Sequence, residues 1–425
     1  MLKDKKRLSE AFKKASESEK FIKLHTAYKG AKQLVTLGLG KIRNQGLKLR
    51  EKLSPPSPED WALKIELEKP YYNFDILYLD EKSLDFLKSG FGGALSAHRV
   101  FPIERQSTKT IEEFVFKNCI SDALVIGEEE NALSGFLRGY YGFRFLSLEN
   151  IKELVNDGKS LSELFSETYP KVSVIVLSYN QKEMTKECIE SALFSSAYEN
   201  IELIVVDNAS NDGSAEMLSE LHKEHPRLKV ILNSENRGFA GGNNDGIKAS
   251  SGEYALLLNN DTLITRGYIT SMLKYFDKIP NLGMVGACTN NIGNEARVRV
   301  SYYDKSGIPL FAHKFTSRNR SKYMVQSEGA LAMFCVLIKV AVFEEVGLLD
   351  ERYVRGMFED DDFAMSLRKA GRSLIIAEDA FVHHYGSQSF NAMKNKQYME
   401  LYYENKRRFE EKWGATWQLH SKRKK

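Results

Sequence analysis

Glu359-Asp360-Asp361-Asp362 puts four carboxyls into one short stretch of this 425-residue chain, and such crowding is a place where protons can be moved. Acids at the start of a helix complement its dipole, but four in succession exceed that need and repel one another. The repulsion raises the pKa of at least one carboxyl, which suits a general base. A helical pattern over residues 363–370 follows the run, and Gly371 closes it. A fifth acid, Asp261, stands behind Leu256-Leu257-Leu258 and the pair Asn259-Asn260. One carboxylate at a strand end suffices for Mg2+ or Mn2+ when substrate phosphates supply further ligands. The same Asp can also cap a helix over residues 262–275, and the two roles do not exclude each other. His383-His384 ends another apolar run, Ala380-Phe381-Val382. A lone histidine is more often structural, yet imidazole is a common metal ligand.

Something must bring these side chains together. Residues 172–177, 201–206, 229–232 and 254–258 are short runs rich in Val, Ile and Leu, separated by helical patterns at 184–193, 215–222 and 243–249. Near-continuous apolar strands alternating with helices predict a parallel sheet covered on both faces. Each strand ends in polar residues: Ser178-Tyr179-Asn180, Asp207-Asn208-Ala209-Ser210, the stretch 233–242, and Asn259-Asn260-Asp261-Thr262. In an open parallel sheet, ligands bind outside the carboxyl ends of the strands. One polar tip is ordinary helix capping; four in series point to a ligand. The segment Asn236-Arg237-Gly238-Phe239-Ala240-Gly241-Gly242-Asn243-Asn244 is a Gly-rich turn opening a helix, where backbone amides favour anions and Arg237 adds a charge suited to a diphosphate. Its spacing matches neither a dinucleotide fingerprint nor a Walker loop, which excludes a nicotinamide enzyme and a P-loop ATPase.

These motifs, spread in order from residue 171 to 390, resemble the family 2 glycosyltransferases, and the Asn-Arg-Gly-Phe-Ala-Gly-Gly-Asn segment resembles the bacterial cell-surface polysaccharide branch that includes rhamnosyltransferases. The resemblance implies a GT-A fold, a mostly parallel sheet flanked by helices. It implies that Ser178, Tyr179, Asn180 and Asp207 hold the nucleoside, with Arg237, Gly238, Gly242, Asn243, Asn259 and Asn260 completing the nucleotide-sugar site. Asn259-Asn260-Asp261 stands where the family has Asp-X-Asp; the first carboxylate is Asn here, so Asp261 alone carries over as metal ligand, joined by His383. The family's Glu-Asp pair makes Asp360 the base, with Glu359 second and Asp362 structural or acceptor-binding. Residues 385–390 resemble a lid over the donor, and Glu328-Gly329 with residues 333–338 the strand beside the acceptor. The implied reaction is an inverting transfer from a UDP- or dTDP-sugar to a hydroxyl of a glycan or lipid-linked acceptor, dependent on Mg2+ or Mn2+. The alternative is a non-catalytic sugar- or nucleotide-binding module, against which the intact acid run speaks.

The rest of the chain divides by pattern. Residues 1–58 form a basic helical segment and linker: the first 53 residues carry fifteen Lys or Arg against five Asp or Glu. The chain ends in Lys422-Arg423-Lys424-Lys425. Such asymmetry suits an anionic surface such as membrane headgroups, or merely a solvated face. With no aromatic–basic stripe, no nucleic-acid partner is expected. Residues 59–168 read as a small α/β accessory unit, with strands near 74–78, 123–126 and 143–146, that positions the acceptor or packs on the catalytic part; 169–392 is the catalytic domain, and 393–425 a C-terminal helix with a basic tail. Four scattered cysteines show no metal spacing and suit buried free thiols in a reducing cytoplasm. No apolar run reaches the length of a membrane span, so a cytoplasmic protein, peripheral at most to the inner membrane face, is expected.

Overall fold

The structure, a computed structural model, describes residues 60, 63, 74–103, 107–194, 197–386 and 395–419. The helices expected within residues 1–53, the segment 387–390 and the tail at 422–425 lie outside the described residues.

The first unit alternates strand and helix and closes on two helices in succession. β1 (Asp75–Tyr78), α1 (Glu81–Phe91), β2 (Val100–Pro102), α2 (Thr108–Lys117), β3 (Ala123–Gly127), α3 (Ala132–Tyr141), β4 (Arg144–Ser147), α4 (Leu148–Asn156) and α5 (Leu161–Thr168) follow one another. The strands make a parallel four-stranded sheet in the order β2-β1-β3-β4. Local chemistry sets the helix starts: Asp80, Ser107, Asn131, Ser147 and Ser160 each accept a backbone N–H of the following first turn.

The second unit runs β5 (Val172–Ser178), α6 (Lys182–Phe194), β6 (Ile201–Asp207), α7 (Ser214–Glu224), β7 (Leu228–Leu232), α8 (Gly238–Lys248), β8 (Tyr254–Asn259), β9 (Thr262–Leu263), α9 (Tyr268–Lys278) and β10 (Leu282–Cys288). It continues through α10 (Ile308–Arg318), β11 (Tyr323–Val325), β12 (Cys335–Lys339), α11 (Val340–Val346), α12 (Glu359–Lys369), β13 (Ser373–Phe381), β14 (His383–His384) and α13 (Asn395–Trp413). Eight strands form one sheet in the order β11-β13-β10-β12-β8-β5-β6-β7. The half from β8 to β7 is parallel, as the apolar runs predict. The other half is mixed: β12 lies antiparallel between β8 and β10, and β11 is an antiparallel edge. β14 pairs with β9 in a separate two-stranded ribbon.

One hydrophobic cluster joins the two units, with Phe74, Ile76 and Leu124 beside Tyr169, Val174, Leu203, Tyr268 and Met272. α9 is the seam. The Thr270 hydroxyl donates to Asp122 Oδ1 at 2.6 Å, Lys274 Nζ to the Tyr140 carbonyl at 3.1 Å, and Arg144 pairs with Asp277 at 2.8 Å. The far face of the large sheet packs Ile175, Ile204 and Leu257 against Ile247 of α8 and Phe363 of α12. All four cysteines are buried free thiols.

Candidate functional site

Asp261 stands at the carboxyl end of β8, 7% exposed. The helix expected directly after it begins only at Tyr268, with Gly267 at its cap, so Asp261 does not cap a helix. The intervening β9 pairs with β14, whose register sets His384 opposite Thr262. This ribbon carries His384 onto Asp261, with Nε2 3.1 Å from Oδ1. The chain beyond is tied back too: Tyr385 N donates to the Asp261 carbonyl at 2.9 Å and Gly386 N to Oδ2 at 3.1 Å.

His383, the expected ligand, is turned elsewhere. Its Nδ1 lies 2.7 Å from the Tyr302 hydroxyl, and burial, then the neighbouring His384, pushes its pKa down to about 4. The correction is one of alternation: adjacent residues of a strand face opposite sides, and it is His384 that faces Asp261. The loop after β10 holds it there. His384 Nδ1 is 2.8 Å from the Asn291 carbonyl, His384 N donates to Asn290 Oδ1 at 2.8 Å, and Asn290 Nδ2 donates to the His384 carbonyl at 3.0 Å. Asn290 and Asn291 were not anticipated, although Cys288-Thr289-Asn290-Asn291 is one more apolar strand ending in a polar tip.

A carbonyl only accepts, so His384 Nδ1 carries the hydrogen and Nε2 presents a lone pair in the neutral ring. That lone pair faces a carboxylate oxygen. Two acceptors 3.1 Å apart repel unless a proton or a cation lies with them. One carboxylate and one imidazole, the latter oriented by a backbone carbonyl, are a donor set that fits a divalent cation. Among the described residues no group of three or more His, Cys, Asp or Glu side chains gathers to hold a metal, so substrate or water oxygens have to complete the shell.

The neighbouring tips interlock. Ser178 and Asn260 are buried, and both contact the Thr185 hydroxyl, at 3.1 and 2.9 Å. Asp207 accepts from Ser210 N and Oγ, while the Asn180 N–H donates to Ser210 Oγ at 2.7 Å. Tyr179 is 41% exposed at the rim, and Asn259 Nδ2 lies 3.5 Å from His384 Nε2.

The Gly-rich turn packs closely into the fold. Arg237 is paired with Asp245 and Glu351. Gly242 and Gly246 let α8 lie close on the sheet, since a Cβ at either would overlap Leu177 or Ile175. Asn243 is buried and donates to the Phe239 carbonyl at 2.9 Å. Gly238, at φ +71°, lies against the Arg355 backbone, which joins this turn to the loop before α12.

α12 leads through the tight turn at Gly371-Arg372 into β13, which runs back along it, so the acidic N-terminus of α12 lies at the carboxyl edge of the sheet. The four acids divide into two pairs. Asp362 accepts from Tyr353 OH, Trp413 Nε1 and Lys412 Nζ at 3.0, 2.7 and 2.7 Å, and Asp361 accepts from Trp417 Nε1 at 3.0 Å. These two are anchors. Glu359 is buried with Oε2 lacking any hydrogen-bond partner, and burial, then the charge of Asp360, pushes its pKa up to about 8. Asp360 is half-buried beside it.

The family model described as "Glycosyl transferase family 2" matches residues 173–347. The poly-beta-1,6-N-acetyl-D-glucosamine synthase of Staphylococcus epidermidis is 29% identical over 180 residues, 42% of this chain and 42% of that protein. Glycosyltransferase GlyG of Streptococcus pneumoniae is 32% identical over 196 residues, 46% of this chain and 63% of that protein. The chain therefore spans less than two thirds of the length of either relative. A mannosyltransferase from Pyrobaculum calidifontis, solved with GDP-Man and Mn2+, overlays with a TM-score of 0.41 at 18% identity, covering 58% of this chain and 70% of that one. The match extends from the first strand of the large sheet through α11, and it is to glycosyl transferase family 2 that this part of the chain is similar.

Proposed function

We propose that the chain transfers a sugar from a UDP- or dTDP-sugar to a hydroxyl of a glycan or lipid-linked acceptor, with inversion, in the synthesis of a cell-surface polysaccharide. The observation that carries this reading is the pairing of Asp261 with His384 at one strand edge and the buried Glu359, its Oε2 without a hydrogen-bond partner, beside Asp360 at the helix that leads back to it. Asp261 and His384 would hold Mg2+ or Mn2+, which supplies charge neutralisation for the departing diphosphate. Tyr179, Asn180 and Asp207 line the nucleoside end.

Glu359 keeps its proton at neutral pH, so Asp360 is the member of the pair that accepts the acceptor's proton as the hydroxyl attacks the anomeric carbon. A single displacement from the opposite face inverts that centre and needs no enzyme nucleophile. The basic segments at residues 1–53 and 422–425 suit a peripheral contact with anionic lipid near a lipid-linked acceptor.

A panel of nucleotide sugars, incubated with and without Mn2+, tests this directly. Metal-dependent release of the nucleoside diphosphate is expected from one donor class. Asp360→Asn should leave UDP binding in Mn2+ intact and lower transfer by about 100-fold or more. No turnover with any donor would leave only the binding-module reading, and normal transfer by Asp360→Asn would remove Asp360 as the base.

A further inference from the structure

The backbone that launches α12 is unusual. Arg355, Gly356, Met357 and Phe358 have φ of 67°, 120°, 76° and 73°, four consecutive residues on the left-handed side, three of them with a Cβ. Such a run persists only where its surroundings over-determine it, and it aims the residues that follow. Here those are Glu359 and Asp360.

The surroundings come from the C-terminal helix. Asn405 of α13 is wholly buried, and its Nδ2 donates to the Gly356 carbonyl at 2.9 Å and the Met357 carbonyl at 3.3 Å. Arg408 prevents the amide from turning over: its Nη1 donates both to Asn405 Oδ1, at 2.9 Å, and to the Arg352 carbonyl, at 2.7 Å. Phe358 itself is buried among Tyr402, Phe409 and Trp417. Beyond the run, Lys412, Trp413 and Trp417 hold Asp362 and Asp361, as described above. α13 and Trp417 just beyond it thus grip the backbone before the pair and the side chains after it, and leave Glu359 and Asp360 between.

We infer that Asn405 is a positioning residue for the proton-accepting pair, acting through the left-handed backbone of residues 355–358. The inference rests on the reading of Asp360 as the base. Without the two N–H donors, the Gly356 and Met357 carbonyls lose their buried partner and the run relaxes toward ordinary φ. The carboxyls then move relative to the acceptor hydroxyl while Asp261 and His384, which make no contact with this run, keep their places.

The test uses the full chain and the nucleotide sugar that the wild type turns over. Asn405→Leu should lower kcat by about 100-fold, the cost of a misplacement near 1 Å, with donor KM and UDP affinity in Mn2+ within about twofold of wild type. Its pH–rate profile should shift on the acid limb, because the separation of the two carboxyls changes. Arg408→Met, which frees the Asn405 amide without removing it, should show the same signature at about 10-fold and keeps the test open if Asn405→Leu does not fold. A purely structural role would instead lower the melting temperature while leaving kcat per folded molecule and the pH profile unchanged. That result in both variants would overturn the inference. If Asp360→Asn retains transfer, the base assignment fails by itself, whatever the Asn405 and Arg408 variants do.

Discussion

His384 Nε2 lies 3.1 Å from Asp261 Oδ1, a contact that calls for a proton or a cation, and it is the sharpest chemical statement a pair of side chains makes here. Its consequence is a prediction about which of two adjacent histidines matters. His384→Ala should weaken Mn2+-dependent UDP binding by at least about 10-fold, because on the proposed reading the change removes a ligand and not merely its support. His383→Phe should keep that affinity, since His383 is neutral and turned to Tyr302. Calorimetric titration of UDP in Mn2+ reads both, and the opposite ranking would return the role to His383. The sequence could not choose between them. His383-His384 follows an apolar strand, and alternation says only that the two rings face opposite ways. Which face holds Asp261 depends on the register of a two-residue ribbon, His384 against Thr262, that no local pattern announces. In the acid run crowding implies a raised pKa; Glu359 is the one raised, first by burial, which the run does not announce, and then by the charge of Asp360. That Asp361 and Asp362 are anchors depends on Trp413 and Trp417, some fifty residues away, and long-range partners of this kind leave no local trace.

Helices and strands were read best where burial is symmetrical. β5, β6 and β8 are apolar on both faces, and the sequence runs at 172–177, 201–206 and 254–258 match them closely. The mixed half of the sheet was harder. β10 contains Gly283 and Gly286, which weaken a strand signal, and β12 is antiparallel only because a long excursion brings it back between β8 and β10. α8 was found, and just past its Gly-rich start Gly246 serves a packing purpose, contact with Ile175, where a Cβ would overlap the side chain. Gly246→Ala should therefore destabilise the protein by about 1–3 kcal/mol, the usual cost of overpacking a core, despite the gain in helix propensity. Gly139→Ala in α3 has open space around the new methyl and should stabilise by about 0.5–1 kcal/mol. Urea denaturation of the two variants checks the pair of signs. Equal effects would mean that α8 has room to shift on the sheet.

At the scale of the molecule, the small unit is not a bead on a linker but shares one core with the large sheet. Its strands were expected near 74–78, 123–126 and 143–146 and are found at Asp75–Tyr78, Ala123–Gly127 and Arg144–Ser147. β2 was missed, because Val100–Pro102 is short and only partly buried. The seam itself was illegible, since a buried polar contact between residues 122 and 270 has no sequence signature. That contact carries a pH dependence. Asp122 is fully buried against Thr270 Oγ1, and burial, reinforced by the nearby Asp75, pushes its pKa up to about 6 from 3.8. A folded-state pKa above the unfolded value means the folded state binds the proton more tightly. The favourable contribution is complete below about pH 3.8 and is lost as pH rises through about 6. A shift of about two units corresponds to about 3 kcal/mol. Asp122→Asn cannot ionise, so its stability relative to wild type should rise by about that amount between pH 4 and pH 7 and then stay level. Reading the difference between the two proteins cancels Glu359, which titrates in both. Because the core is continuous across α9, both units should unfold in one transition, which lets a single urea curve at each pH report the seam. A difference that stays flat from pH 4 to pH 7 would mean that Asp122 ionises inside the seam without cost, and that water reaches the interface between the two units.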